Sequence, residues 1–290
     1  MRSIYAPIRA LGDFIITASV VKNNFLVKVP ILLPDFIADL FYAIEGDKYF
    51  DIEGTIGFSN QPAFFEMYKV KDLKNLKRLW KDIKIIKHVF NSNDQYLLDY
   101  SSRRLFFTRA KLVWPPTDEN IYEGKAKLLA ENSLIKPDVN LDALTYTKSF
   151  SNILIIPDSR VKEKNINNDL IKKIKDHFKG LNIQIARFSQ KKADEPDHVN
   201  YSNFKELMEL ISSSDLIISA ESLPYHLAYF LGKPHFVIYN ESRHFKTTFM
   251  TPFMLRNNYF SIFTGSNHDQ VISQLEKVLP QHGNDKKHFA

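Results

Sequence analysis

The sequence predicts an α/β protein made of two Rossmann-like parallel-sheet domains facing a central cleft. Three patterns predict it. Short apolar strands alternate with helices through the second half. The first half opens with the same strand–turn–helix order. A polar, Pro-containing stretch separates the two halves. A length of 290 residues suits two modest domains, and 44% hydrophobic with 13% aromatic residues supplies a core for each.

In chain order, Ser3–Ile8 reads as a strand and Gly12 as a turn that allows close backbone approach to a ligand. Asp13–Lys22 reads as a helix, with Asp13 at the N-cap or in the first turn, where a carboxylate is favoured. Apolar stretches follow at Val29–Leu33 and Ile52–Phe58. The spacing from Tyr68 to Phe90 predicts one long amphipathic helix, with Leu73, Leu76, Trp80, Ile83 and Phe90 on one face. Tyr96–Ala110 mixes YLLDY and LFFTRA around Ser101, Ser102, Arg103 and Arg104. Glu131–Ser151 is the linker candidate, giving domains 1–147 and 148–290.

The second half is clearer. Asn152–Ile156 is a buried strand ending at Pro157. Leu170, Ile171, Ile174 and Phe178 share a helix face, and Gly180 follows as a stop signal. Ile183–Phe188 is the next strand. Asn203 and Glu206 have capping-box spacing for a helix over Phe204–Ser212. Asp215–Ser219, His235–Tyr239 and Tyr259–Phe263 read as strands. Pro224–Leu231, followed by Gly232 and Pro234, and His268–Leu279 read as helices.

Composition excludes several function classes. With no cysteine, a disulfide framework, a zinc–thiolate site and a thiol nucleophile are impossible. The N-terminus carries Arg2, Arg9 and Asp13 and no cleavage pattern, so no signal peptide is read. Val29–Ile44 is the most apolar long stretch, but Asp35, Asp39 and two prolines prevent it from spanning a bilayer. The expected location is cytoplasmic, with peripheral attachment to the inner face of the inner membrane as an extension.

Three segments carry chemistry, each just after an expected strand, where open α/β sheets bind ligands. Ala10-Leu11-Gly12-Asp13 opens a helix. Pro157–Lys164 offers the Ser159 hydroxyl with Arg160, Lys162 and Lys164, a set suited to a phosphate or diphosphate. Ser219–His226 runs into a helix in which Ser222 can cap and Pro224 pre-sets the first turn. His226, near the helix N-terminus, is expected as a neutral hydrogen-bonding group. Taken singly, these read as a helix cap, a solvated charged loop and a structural histidine.

Together, in this order, LGDFIITASVV, PDSRVKEKN and SSSDLIISAESLPYHLAYFLGKPHFVIY resemble glycosyltransferase family 9, the bacterial heptosyltransferases of lipopolysaccharide assembly. YLLDYSSRRLFFTRAK is similar to the family's third-strand region. The resemblance implies a GT-B architecture, with an N-terminal acceptor domain and a C-terminal nucleotide-sugar domain. It implies Asp13 as general base, and Gly12, Ser159, Arg160, Lys164, Glu221, Ser222 and His226 around the donor. It implies transfer with inversion from an ADP-sugar donor to a lipopolysaccharide or related glycan. No cofactor or metal is expected: no Asp-x-Asp motif occurs, so Lys164, Arg160 and helix N-termini would stabilise the departing diphosphate. The chain departs from the family pattern at Leu223 (usually Gly), Glu221 (usually Asp) and Asp158 (commonly Gly). A nucleotide-sugar epimerase or hydrolase on the same fold, and a non-catalytic nucleotide-sugar or glycan-binding module, stand as alternatives.

The charge is concentrated. Lys+Arg 39 against Asp+Glu 33 gives +6, and residues 68–90 hold eight positives against two negatives, a surplus equal to the whole chain's. Lys74, Lys77, Arg78, Lys81 and Lys84 with Trp80 suit an anionic membrane surface or a phosphorylated acceptor. No nucleic-acid-binding module accompanies the charge, so nucleic acid is not an expected partner.

Overall fold

The protein is seen in a computed structural model. It describes residues 1–290 apart from 63–72, 91–92, 100–104, 106–107, 117, 142–149, 190–194, 242–244 and 280–290. Within the helix that follows residue 72, the side chains of Leu73 and Lys74 also lie outside the description. So do Lys69, Lys71 and the Ser101–Arg104 run. The chain divides into two compact units, Met1–Leu141 and Asp142–Ala290.

The first unit runs β1 (Ser3–Ala6), α1 (Leu11–Asn23), β2 (Val29–Pro34), α2 (Asp35–Ala43), β3 (Phe50–Ile56), α3 (Leu73–Val89), β4 (Gln95–Leu98), β5 (Lys111–Val113) and α4 (Ile121–Glu131). Its strands form a parallel sheet in the order β3-β2-β1-β4-β5. The chain therefore walks outward from β1 to β3, then returns through α3 to place β4 on the other side of β1.

Alternation along β1 assigns the two faces of this sheet. Ile4 and Ala6 point into a cluster with Leu32, Ile56, Phe58, Tyr96 and Leu98, which α3 covers with Ile86, Leu79, Ile85 and Val89. Phe90 stacks on Tyr96, rings 4.3 Å apart. On the other face Tyr5 meets Phe50, and Phe14 of α1 meets Phe41 of α2. Every residue of α1 from Asp13 to Val21 is buried. A helix apolar all round must be enclosed, and its polar groups are tied internally: Ser19 Oγ donates to the Ile15 carbonyl at 2.8 Å.

The second unit runs β6 (Asn152–Ile156), α5 (Asn168–His177), β7 (Asn182–Phe188), β8 (His198–Tyr201), α6 (Phe204–Ser213), β9 (Leu216–Ala220), α7 (Leu223–Phe230), β10 (His235–Asn240), α8 (Pro252–Asn257), β11 (Phe260–Phe263) and α9 (His268–Val278). Its parallel sheet has the order β11-β10-β9-β6-β7-β8. Read from its first strand, this is the 3-2-1-4-5-6 order of a doubly wound domain, reversing direction between β6 and β9.

Local chemistry explains the helix ends. Asn203 Oδ1 accepts from Glu206 N at 3.0 Å, while the Glu206 carboxylate reaches back to Ser202 N at 2.6 Å, one residue earlier than a standard capping box. α7 ends in a Schellman turn: Gly232 has φ 72°, Lys233 N bonds the Ala228 carbonyl and Gly232 N the Tyr229 carbonyl.

Several expectations need correction. Gly12 is not a turn: α1 starts at Leu11, with Ala10 at the N-cap. The linker begins later than Glu131, because Ile135 bridges Phe25 and Asn24 binds Asn140 through both its amide groups. The apolar face assigned to α3 holds only at Phe90, which is buried: Leu76 and Trp80 are 53% and 62% exposed, Ile83 is half-buried, and Leu79, Ile86 and Val89 pack inward instead. Helices α2, α4 and α8 and strands β5 and β8 go beyond what periodicity singles out.

His235 is fully buried at the start of β10. The Lys233 carbonyl lies 2.8 Å from its Nδ1 and the Thr251 hydroxyl 2.6 Å from its Nε2. Thr251 Oγ1 also caps α8 by accepting from Met254 N. Burial lowers the His235 pKa from 6.5 to about 4. The unfolded chain therefore binds this proton at higher pH than the folded one. Stability from this group is complete above pH 6.5 and is lost as pH falls towards 4, by up to about 3 kcal/mol. Urea unfolding across that range should show this slope, and His235→Gln should flatten it.

Candidate functional site

In the second unit, the carboxyl ends of β6 and β9 carry the expected donor residues. The loop after β6 (157–167) folds back on itself: Ile166 N bonds the Pro157 carbonyl, and Lys162–Lys164 form a single 3-10 turn. Ser159 N donates to Asn165 Oδ1 at 2.7 Å, and Ser159 Oγ accepts from Val161 N at 3.3 Å. Asn240, the last residue of β10, clamps this loop by donating to the Glu163 and Asn165 carbonyls, both at 3.0 Å.

This loop meets the segment after β9 across the reversal point. Lys164 Nζ donates to Glu221 Oε2, joining two segments 57 residues apart in a half-buried ion pair. Ser222 stands at the N-cap of α7 but makes no side-chain cap there. Instead its hydroxyl donates to the Asp158 carbonyl at 3.4 Å. Pro224 occupies the first turn, and His226 is buried against the Tyr225 ring, centroids 3.8 Å apart. Arg160 is exposed at the rim of the loop.

Three contributors go beyond the sequence motifs. Arg187, at the end of β7, donates to Asp158 Oδ1 at 2.7 Å and to Asn168 Oδ1 at 2.9 Å. It compensates the negative charge that Asp158 brings to a phosphate-type loop. Asn240 is the loop clamp. The Tyr239 hydroxyl is buried with no hydrogen-bond partner among the described residues, and burial with the nearby Glu221 charge pushes its pKa up. Arg187, Asn240 and Tyr239 all lie at strand carboxyl ends, so only strand order could have flagged them.

Among the described residues, one trio has metal-ligating chemistry: Glu195, Asp197 and His198. It lies where β8 begins, the opposite edge of the sheet from the Lys164–Glu221 pair, and Lys175 pairs with Asp197.

In the first unit, Asp13 sits in the first turn of α1, just beyond the carboxyl end of β1, and is 7% exposed. Arg9 Nε lies 3.8 Å from its Oδ2. Beneath that turn is a buried polar cluster. Lys125 of α4 donates to the Asp13 carbonyl at 2.8 Å, to Thr17 Oγ1 at 2.5 Å and to Asp99 Oδ1 at 2.6 Å. Tyr5 also donates to Asp99 Oδ1, at 2.5 Å; burial and the Asp99 charge hold its pKa well above the ordinary phenol value. Asp99 follows β4, so the cluster spans the reversal between β1 and β4 and fixes the turn that carries Asp13. A buried lysine inside a helix gives no periodic signal, which is why the sequence does not reveal Lys125.

Comparison with known proteins places this fold. No protein-family model matches the chain, and no curated protein matches it. Solved structures do. Over 96% of this chain and 99% of the other, E. coli heptosyltransferase WaaC with ADP-2-deoxy-2-fluoro heptose is similar, with TM-score 0.61 and 9% identity. A family 9 glycosyltransferase from Veillonella parvula DSM 2008 is similar with TM-score 0.58 and 13% identity, over 98% of this chain and 91% of that one. E. coli ADP-heptose lps heptosyltransferase II gives TM-score 0.55 and 12% identity, over 96% and 98%. The chain thus has the two-domain α/β fold of GT-B glycosyltransferases. More narrowly, it has a heptosyltransferase-like version of that fold, as found in glycosyltransferase family 9.

Removing one member of the buried cluster leaves an uncompensated charge. Lys125→Met should cost roughly 3–5 kcal/mol of stability, and adding Asp99→Asn should recover much of it. Chemical denaturation of the two variants checks this.

Proposed function

We propose that the protein is an inverting, metal-independent glycosyltransferase. It moves a sugar, heptose by family expectation, from an ADP-sugar to a lipopolysaccharide-type or related glycan. What carries the proposal is the Lys164–Glu221 pair across the reversal between β6 and β9. It joins two segments of the family resemblance at the sheet edge where doubly wound domains bind nucleotides.

Asp13 takes the proton from an acceptor hydroxyl as that oxygen attacks the anomeric carbon. The bond from that carbon to the diphosphate oxygen breaks, and both its electrons leave with the nucleoside diphosphate. Lys164 and Arg160 stabilise the charge that develops there. Glu221 accepts hydrogen bonds from donor hydroxyls, and Ser222 and His226 line the same edge. Gly12 and Ser159 contribute backbone and hydroxyl contacts. Arg9 orients the Asp13 carboxylate. No residue is assigned to a cofactor. A membrane-borne acceptor puts the reaction at the cytoplasmic face of the inner membrane.

A thermal-shift screen against ADP-, GDP-, UDP-, CMP- and dTDP-sugars should show specific stabilisation by one nucleotide class, ADP by expectation. Lys164→Ala should weaken that binding roughly tenfold or more, the worth of a charge-assisted hydrogen bond, measured by calorimetry. Stabilisation by none of them would favour the non-catalytic module, and nucleotide release without acceptor would favour the hydrolase.

Asp13→Asn should abolish transfer and leave donor affinity nearly intact, since the carboxylate acts on the acceptor. Substantial residual transfer in an activity assay would remove Asp13 as the base.

A further inference from the structure

Helix α3 has two apolar faces, and folding uses only one. Leu79, Ile86, Ile85 and Val89 pack on the sheet, with Phe90 just beyond the helix. On the opposite side, Leu76, Trp80, Ile83 and Lys87 follow one another at helical spacing (i, i+4, i+7, i+11). Leu76 and Trp80 are 53% and 62% exposed, the only large apolar side chains on described parts of α3 that are. Lys77, Lys81, Lys84 and Lys87 are also exposed and surround them, and Lys84 Nζ lies 6.0 Å from the Trp80 ring centroid. The helix's described acidic residue, Asp82, is buried on the inner side. Among the described residues, the outer face therefore combines Leu76 and Trp80 with lysines and His88 and carries no acidic side chain.

A core does not require this face, and water does not favour it. We propose that the outer face of α3 docks on a bilayer containing anionic phospholipid. The helix lies parallel to the surface, with Trp80 and Leu76 inserted at headgroup level and Lys77, Lys81, Lys84 and Lys87 on the lipid phosphates. Charge complementarity selects an anionic surface. The exposed tryptophan and leucine select a bilayer over a nucleic acid, whose backbone offers Leu76 nothing to bury against. This is a different surface from the strand carboxyl ends that hold Asp13 and Lys164, and it stands independently of the sugar-transfer proposal. No helix among the described residues is long and apolar enough to cross a membrane, so the attachment is to the surface.

The full chain is co-sedimented with phosphatidylcholine vesicles, with and without phosphatidylglycerol, across a salt series. Binding is expected only with phosphatidylglycerol, weakening as salt rises. Replacing Lys77, Lys81, Lys84 and Lys87 by Gln should reduce affinity more than 100-fold, at roughly fivefold per lysine. Leu76→Ser with Trp80→Ser should weaken binding at least tenfold without changing the melting temperature, because both side chains lie outside the core. Absence of binding to the anionic vesicles at low salt would overturn the proposal. So would a serine pair that binds like the parent, which would mean a site for soluble polyanions. No nucleotide-sugar enters the experiment, so its failure and that of the sugar-transfer proposal are told apart.

Discussion

Parallel pairing beside the first strand of each sheet is the constraint on which the rest depends. β1 lies between β2 and β4, and β6 lies between β7 and β9. Parallel neighbours need long crossovers, so each chain must leave its first strand in one direction and return to its other side. At that reversal two loops leave the sheet edge in opposite directions and open a crevice. The Asp13 turn and Asp99 stand at one such place, and Lys164 and Glu221 at the other.

Charge balance at these places is local. Lys125 is nearly fully buried yet satisfied three ways, by a carboxylate, a hydroxyl and a carbonyl. Burying a cation that deeply is tolerable only with such partners, and the result is a stiff floor under the Asp13 turn. In the second unit Asp158 introduces a carboxylate where the resemblance favours glycine, and Arg187 neutralises it from the adjacent strand. The departure is thus compensated within the sheet edge itself. Asn240 holds the backbone of the same loop from the far side of β9.

Helix α3 shows how a correct element can carry a wrong orientation. Its residues support two apolar stripes, and the expected one held the larger side chain, Trp80. The sheet takes the other, because Leu79, Ile85, Ile86 and Val89 pack on the cluster around Tyr96, and burying the Trp80 side would put four lysines into the core. The cost of burying lysines outweighs the gain from one buried tryptophan.

The sequence by itself determined much. Strand–helix alternation established the parallel α/β class, and Gly232, Asn203 and Pro224 marked helix ends through local backbone chemistry that needs no distant partner. The order of LGD, PDSRVKEKN and the AESLPYH block pointed to the glycosyltransferase-like fold, and made Asp13, Lys164 and Glu221 the expected site residues. Tertiary structure alone decided which side of α3 faces inward. It also decided that Lys164 meets Glu221, that Arg187 answers Asp158, and that Lys125 and Tyr5 converge on Asp99. These are contacts between residues far apart in the chain. Propensity and periodicity act over a turn or a strand pair, whereas a buried charge is stabilised by whichever side chain the crossovers bring to it.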